Sequence, residues 1–282
     1  MTWQLLLGFS ILAVSFSTIL QRVLLKENKS DPISCALFFQ VMTGIILGIF
    51  AFVHGYHAVP IFSVLPNIVL MTVLYALGNI CIFISLKSTE ASTFTITFAT
   101  RGLWTVIGAV LFLGEHFFLH QIFGTLLIFL SIILVSFKKE SFVFTKGIVL
   151  SLFAGFLFGM AFTNDALMLQ KFDLLSYLTI NFLFPGIFIG IVYPKKIVLL
   201  RSLLTKSLFL KLTFLSFLYA VSVVCLDGAY TVGRNAAQIG ILFQISTIVT
   251  VIFAIFFLKE TTQIAKKLLA AIFAFLGVIL VK

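Results

Sequence analysis

One guanidinium sits where a charge is expensive. Arg101 lies deep in the apolar run TFTITFATRGLWTVIGAVLFL, residues 93–113, which is long enough to cross a bilayer. A charge at that depth costs at least about 2.5 kcal/mol even by insertion scales, so its retention asks for a reason. Three are open. It binds the carboxylate or phosphate of a substrate, it closes a gate by pairing with an acid, or it forms a permanent ion pair or carbonyl clamp that holds helices together. The acids able to meet it from other apolar runs are Asp165 and Asp227, and either could serve as a coupling or gating carboxylate that takes up and releases protons. The alternative for both is an acid solvated among headgroups.

Uncharged polar side chains within apolar runs extend the list. Gln40, Asn79, Asn164 and Gln244 are candidate substrate contacts, competing with simple helix-to-helix hydrogen bonds worth about 0.6 kcal/mol each. Trp104 shares a helix face with Arg101 by its i, i+3 spacing and could wall a cavity or stack on a substrate. His54 and His57 fall in one loop, His116 and His120 in another. The i, i+4 pair has metal-ligand spacing, but no cysteine or fixed carboxylate completes a set, so no metal is assigned. Cys35, Cys81 and Cys225 lie unpaired in apolar runs, as small buried hydrophobes.

These residues must be held by a membrane protein. The chain is 61% hydrophobic and 10% charged, with 35 Phe in 282 residues, against roughly 25% charged in a soluble domain. Ten apolar segments bounded by polar, Pro or Gly punctuation predict helices near 3–25, 33–53, 66–86, 92–113, 119–137, 146–169, 174–193, 208–230, 235–258 and 264–281. The first segment has no basic region before it and opens a series of like segments, so it reads as a retained helix. Fifteen of the nineteen Lys and Arg fall on loops that follow odd-numbered helices, and three on the opposite side. The positive-inside rule then places the odd loops in the cytoplasm and both termini outside. The net charge of +10 is thereby explained by topology and anionic headgroups, with no call for nucleic acid.

The chain also repeats itself. DPIS at 31–34 matches DLLS at 173–176, Gly44 and Gly48 match Gly186 and Gly190, YALGNIC at 75–81 matches YAVSVVC at 219–225, and LFLGEHF at 111–117 matches FFLKETT at 256–262. The offset drifts slowly from 142 to 145. Residues 1–140 and 141–282 are therefore expected to be two five-helix repeats. Five is odd, so the second copy enters the membrane inverted, and a substrate site is expected where the copies meet. The GxxxG pairs, including Gly155 with Gly159, mark close helix approach. Glu115 and Glu260, at the ends of the matched phrases, read as solvated turn or cap residues.

Two five-helix halves, each with a fourth helix ending in LGE or LKE and a fifth reading GTLLIFLSIILVS or AAIFAFLGVILV, resemble the drug/metabolite transporter superfamily of the EamA type over nearly the whole chain. The stretches SLKSTEAS at 85–92 and AYTVGRNAA at 229–237 look like that family's link between third and fourth helices. The resemblance implies ten helices around a central cavity, lined mainly by helices 1, 3, 4, 6, 8 and 9.

The expected fold is thus an all-α membrane protein. Its expected function is secondary active transport of a small organic metabolite, amino acid-like and zwitterionic or anionic, by alternating access, as a monomer or homodimer in a bacterial plasma membrane. No cofactor is expected. A lipid-carrier flippase is the near alternative; a channel or a purely structural role is the more distant one. Enzyme chemistry finds no footing, since the chain has no H-E-x-x-H, G-x-S-x-G or phosphate-loop signature.

Overall fold

The computed structural model describes residues 2–26, 31–57, 61–114, 119–138, 141–142, 144–203, 205–233, 239 and 242–281. The first half is built from α1 (Trp3–Lys26), α2 (Pro32–His54), α3 (Leu65–Ser88, entered through a 3-10 turn, Ile61–Val64), α4 (Ala91–Phe98), α5 (Arg101–Leu113) and α6 (Leu119–Ser136). The second half follows with α7 (Lys146–Met168), α8 (Leu174–Val192), α9 (Pro194–Leu203), α10 (Lys206–Gly233), α11 (Ile245–Leu258) and α12 (Ile264–Val281). A two-residue antiparallel ladder, Phe137–Lys138 with Ser141–Phe142, joins the halves. The protein is an all-α membrane protein. Among the described residues, seven helical segments are long and apolar enough to cross a bilayer, counting α4 with α5 and the 3-10 turn with α3 each as one, and Leu119–Val135 and Ile245–Leu258 are shorter apolar helices. Large apolar side chains such as Phe52, Phe62, Phe112 and Phe256 are more than two-thirds exposed, a surface suited to lipid and not to water.

Local chemistry explains where the helices start. Asp31 caps α2 and Asp173 caps α8 in the same way: each carboxylate accepts from the backbone N–H and the hydroxyl three residues on, Ser34 in one case and Ser176 in the other, at 2.8 to 3.0 Å. These are the matched DPIS and DLLS phrases.

Two differences from the sequence reading appear. The helix expected over 92–113 is interrupted at Ala99 and Thr100, where Thr100 N–H and Gly102 N–H each bond back only three residues. Threonine hydroxyls at 97 and 100 take backbone carbonyls for themselves there, which loosens a helix interior. The same tightening opens α11, where Thr247 N–H bonds to the Gln244 carbonyl at 3.0 Å; of the helix expected over 235–258, the regular part described is Ile245–Leu258. The second difference is α9, a short basic helix where a cytoplasmic loop was expected; proline starts it, and its Lys196 is tied to Asp31 at 2.7 Å.

The packing pairs are reciprocal. α1 packs on α10 and α3 on α7; α2 packs on α10 and α3 on α8; α1 packs on α11 and α5 on α7. Exchanging the first half for the second turns each pair into its mate. α2 with α8, α4 with α11 and α6 with α12 are their own mates. Glycines permit the approach: a Cβ at Gly44 would come within 2.7 Å of Leu183 and one at Gly186 within 2.7 Å of Val41. Gly155 and Gly159 of α7 do the same against α5, a Gly159 Cβ meeting the Arg101 carbonyl at 2.8 Å.

One end of the bundle is closed by charge. Glu260, 7% exposed, accepts from Ala91 N–H, Ser92 N–H and the Ser92 hydroxyl, capping α4. It is a cap as expected, but buried and not solvated, because it reaches across from the α11–α12 turn. Its counterpart Glu115 lies outside the described residues, as does His116. Beside this cap, Glu90 pairs with Lys267 at 3.0 Å, and Arg22 donates to the Leu86 and Lys87 carbonyls that end α3.

Candidate functional site

Away from that closed end, a cavity of about 460 Å³ lies between the halves. It is lined from α2 by Gln40, from α3 by Tyr75 and Asn79, from α5 by Arg101, from α7 by Asp165, from α8 by Asn181, from α10 by Tyr219 and Asp227, and by Gln244 just before α11. Phe158, Phe162 and Phe182 supply apolar wall. The size and the mix of apolar wall with a few convergent polar groups suit a small organic molecule.

Arg101 opens α5 at the interruption of the fourth helix. Its guanidinium stands 4.8 Å from the Phe98 ring and 5.7 Å from the Phe162 ring, so aromatic faces take part of its charge. Among the described residues, no carboxylate lies within ion-pair distance of it, and its side chain makes no hydrogen bond. The gate or buried ion pair with Asp165 or Asp227 is therefore absent from this conformation.

Asp165 is engaged elsewhere. Its Oδ1 accepts from the Tyr177 hydroxyl at 2.5 Å, its Oδ2 accepts from the Tyr75 hydroxyl, and Asn181 lies beside it. Pro185, inside α8, has no N–H to return to the carbonyl of Asn181, which leaves that carbonyl without its helical donor close to the cavity. The Asp227 carboxylate is half-buried and has no hydrogen-bond partner among the described residues.

The amides divide. Gln40 is 1% exposed, and its Oε1 has no partner among the described residues. Asn79 donates to its own helix, at the Tyr75 carbonyl, 3.0 Å away. Asn164 is not on the cavity wall: it exchanges hydrogen bonds with Asn67, at 2.7 Å to its side-chain oxygen and 3.2 Å from its nitrogen. One residue from Asp165 is 100° of helix turn, enough to aim it at Asn67, two turns before Tyr75 on α3, and off the cavity wall. Trp104 is also off the wall. Its Cβ is pressed against the Gly159 backbone position, and its ring packs edge-on to Phe156 with centroids 5.0 Å apart, so the face shared with Arg101 by spacing is spent on helix packing.

Tyr75, Tyr177, Tyr219 and Asn181 were not singled out as site residues by sequence. Two of them carried a signal, since Tyr75 and Tyr219 open the matched phrases YALGNIC and YAVSVVC. At the rim, His54 stacks on Phe50 and bonds to its carbonyl, and the His57 N–H donates to the Ser176 hydroxyl. Among the described residues, no three His, Cys, Asp or Glu side chains gather as a metal site.

Residues 1–137 match the model of the EamA-like transporter family. Over that stretch, just under half of its length, the chain is similar to EamA-like transporters. The family belongs to the drug/metabolite transporter superfamily, and its members are membrane transporters of small molecules, not enzymes. No curated protein matches the chain. A solved structure described only as "Crystal structure of protein" has a TM-score of 0.65 at 12% identity, covering 99% of this chain and 95% of that one. That likeness concerns the fold alone, and it extends through the second half beyond the EamA-like match.

Proposed function

We propose that the protein is a secondary active transporter that moves a small organic metabolite, zwitterionic or anionic and amino acid-like, across a plasma membrane by alternating access. The scaffold of this reading is ten spans arranged as two inverted repeats, 1–140 and 141–282. The reciprocal helix pairings and the identical Asp31 and Asp173 caps support it, because an inverted pair in one chain makes exchange of repeat conformations the natural transport step. The closed end carries Arg22, Lys267 and the other basic loops, so by the positive-inside rule the cavity faces outward in this conformation.

The single observation that carries the substrate class is Arg101: a guanidinium on the wall of a cavity between the halves, with no acid among the described residues within ion-pair distance. A solute carboxylate fits that vacancy in charge, and bidentate geometry makes the pairing selective. Gln40 Oε1 and the Asp165 carboxylate supply acceptors for an ammonium group on the same solute.

A thermal-shift screen of amino acids, organic acids and amines against the purified protein tests it. A solute bound to the folded state stabilises it by mass action, by about 2.7 kcal/mol at a hundredfold excess over Kd, and so raises the melting temperature. Carboxylate-bearing solutes should stabilise the wild type and not Arg101→Gln. Stabilisation of both proteins alike, or by amines only, would overturn the assignment.

A further inference from the structure

Of the two acids on the cavity wall, only Asp165 is held in place. Both of its oxygens lie within hydrogen-bond distance of tyrosine hydroxyls, and when the carboxyl is ionised each phenol gives it its single hydrogen. No cation balances that charge. Among the described residues no Lys, Arg or His lies within ion-pair distance. Of the elements packed against α7, α3 presents Tyr75, α4 carries no titratable side chain, and α5 presents Arg101, which lies beyond ion-pair reach. From α8 come Tyr177 and Asn181.

The two tyrosines are not equivalent. Tyr75 is on the cavity wall, whereas Tyr177, 1% exposed, lies behind the carboxylate and does not line the cavity. A species arriving from the cavity therefore meets the Tyr75 side first. A metal cation would need several oxygen ligands around it, and among the described residues no cluster of three His, Cys, Asp or Glu gathers there to supply them. A proton needs only one hydrogen bond to reverse.

Resting on the carrier reading above, we infer that Asp165 is the proton-binding site of the cycle and that Tyr75 is the positioning residue that reports its state to the cavity. A proton from the cavity adds to Asp165 Oδ2 and neutralises the carboxylate. The new O–H donates to the Tyr75 oxygen, whose own hydrogen turns into the cavity. Oδ1 keeps its bond from Tyr177. Protonation thus converts Tyr75 from a donor to Asp165 into a donor facing the solute, next to the site that Arg101 electrostatically dominates. Asp227 takes no part, having no hydrogen-bond partner among the described residues that its charge could release.

Difference infrared spectroscopy between acidic and alkaline pH, on the full chain in lipid nanodiscs with no solute, tests this. The wild type should gain a carboxylic C=O band on acidification. Asp165→Asn should lose that band and Asp227→Asn should keep it. Tyr177→Phe should shift the band to higher frequency, because the carbonyl loses its remaining donor, and Tyr75→Phe should shift it less, because only the O–H loses its acceptor. A band that survives in Asp165→Asn, a wild type with no band, or a larger shift caused by Tyr75→Phe than by Tyr177→Phe overturns the inference. The readout needs no transport, so its failure leaves the carrier reading standing, and a failed solute screen leaves the band to be judged alone. Unchanged melting of each variant at neutral pH guards against misfolding.

Discussion

Glu260 accepts the Ala91 N–H at 2.7 Å across 169 residues of chain. That bond, with the two from Ser92, joins the turn after α11 to the start of α4 and so ties second half to first at the closed end. Four N–H groups at a helix start have no intrahelical partner, and an anion there also meets the positive end of the helix dipole.

Glu260→Ala should therefore strand two backbone donors in a buried place. Stranding costs about 1 to 3 kcal/mol per group, and water entering the gap recovers some of it, so a net loss of about 2 kcal/mol is expected. Thermal unfolding in detergent measures it. Glu260→Gln retains an acceptor and should lose less; equal losses would show that the cap does not act through its hydrogen bonds.

The α2–α8 contact predicts matched damage at matched positions. Gly44→Ala pushes a methyl into Leu183 and its backbone N, and Gly186→Ala pushes one into Val41 and its backbone N. Overpacking of this kind costs about 1 to 3 kcal/mol. The two substitutions should lower thermal stability by similar amounts. Trimming the facing side chain, Leu183→Ala or Val41→Ala, should restore only part, since backbone remains in the way. A large loss at one glycine and none at the other would break the reciprocity.

A third expectation concerns pH. Burial acts to raise the Asp31 carboxyl, but hydrogen bonds from Lys196 and Ser34 more than offset it and hold it below its usual value. A carboxyl depressed in the folded state stabilises above its ordinary pKa of about 3.9, and that contribution disappears as pH falls through the lower folded value. Asp31→Ala should cost about 1 kcal/mol at neutral pH, the usual worth of an N-cap. The gap between variant and wild type should close as pH drops below about 4. A gap that persists undiminished in acid would mean the carboxylate charge contributes nothing.

The membrane class and the positions of most described helices were legible along the chain, because each rests on local quantities. Twenty apolar residues must make a helix when no water is present to satisfy the backbone. An Asp-x-x-Ser phrase caps a helix wherever it falls, and a glycine at a repeated offset marks a close approach whichever neighbour supplies it. Arg101 was visible for the same reason, since a charge in an apolar run is costly without regard to what surrounds it. What Arg101 touches was not visible. Its pairing with Asp165 was plausible from depth alone, and only the tertiary structure shows that Tyr75 and Tyr177, from helices before and after α7, have taken both oxygens of that acid. Asn164 and Trp104 left the site for a related reason: their polarity and position qualified them, but one turn angle and one packed glycine sent their side chains into neighbouring helices. Depth and amphipathicity are set by the segment itself, whereas a side chain's partner depends on which helix the fold brings alongside it.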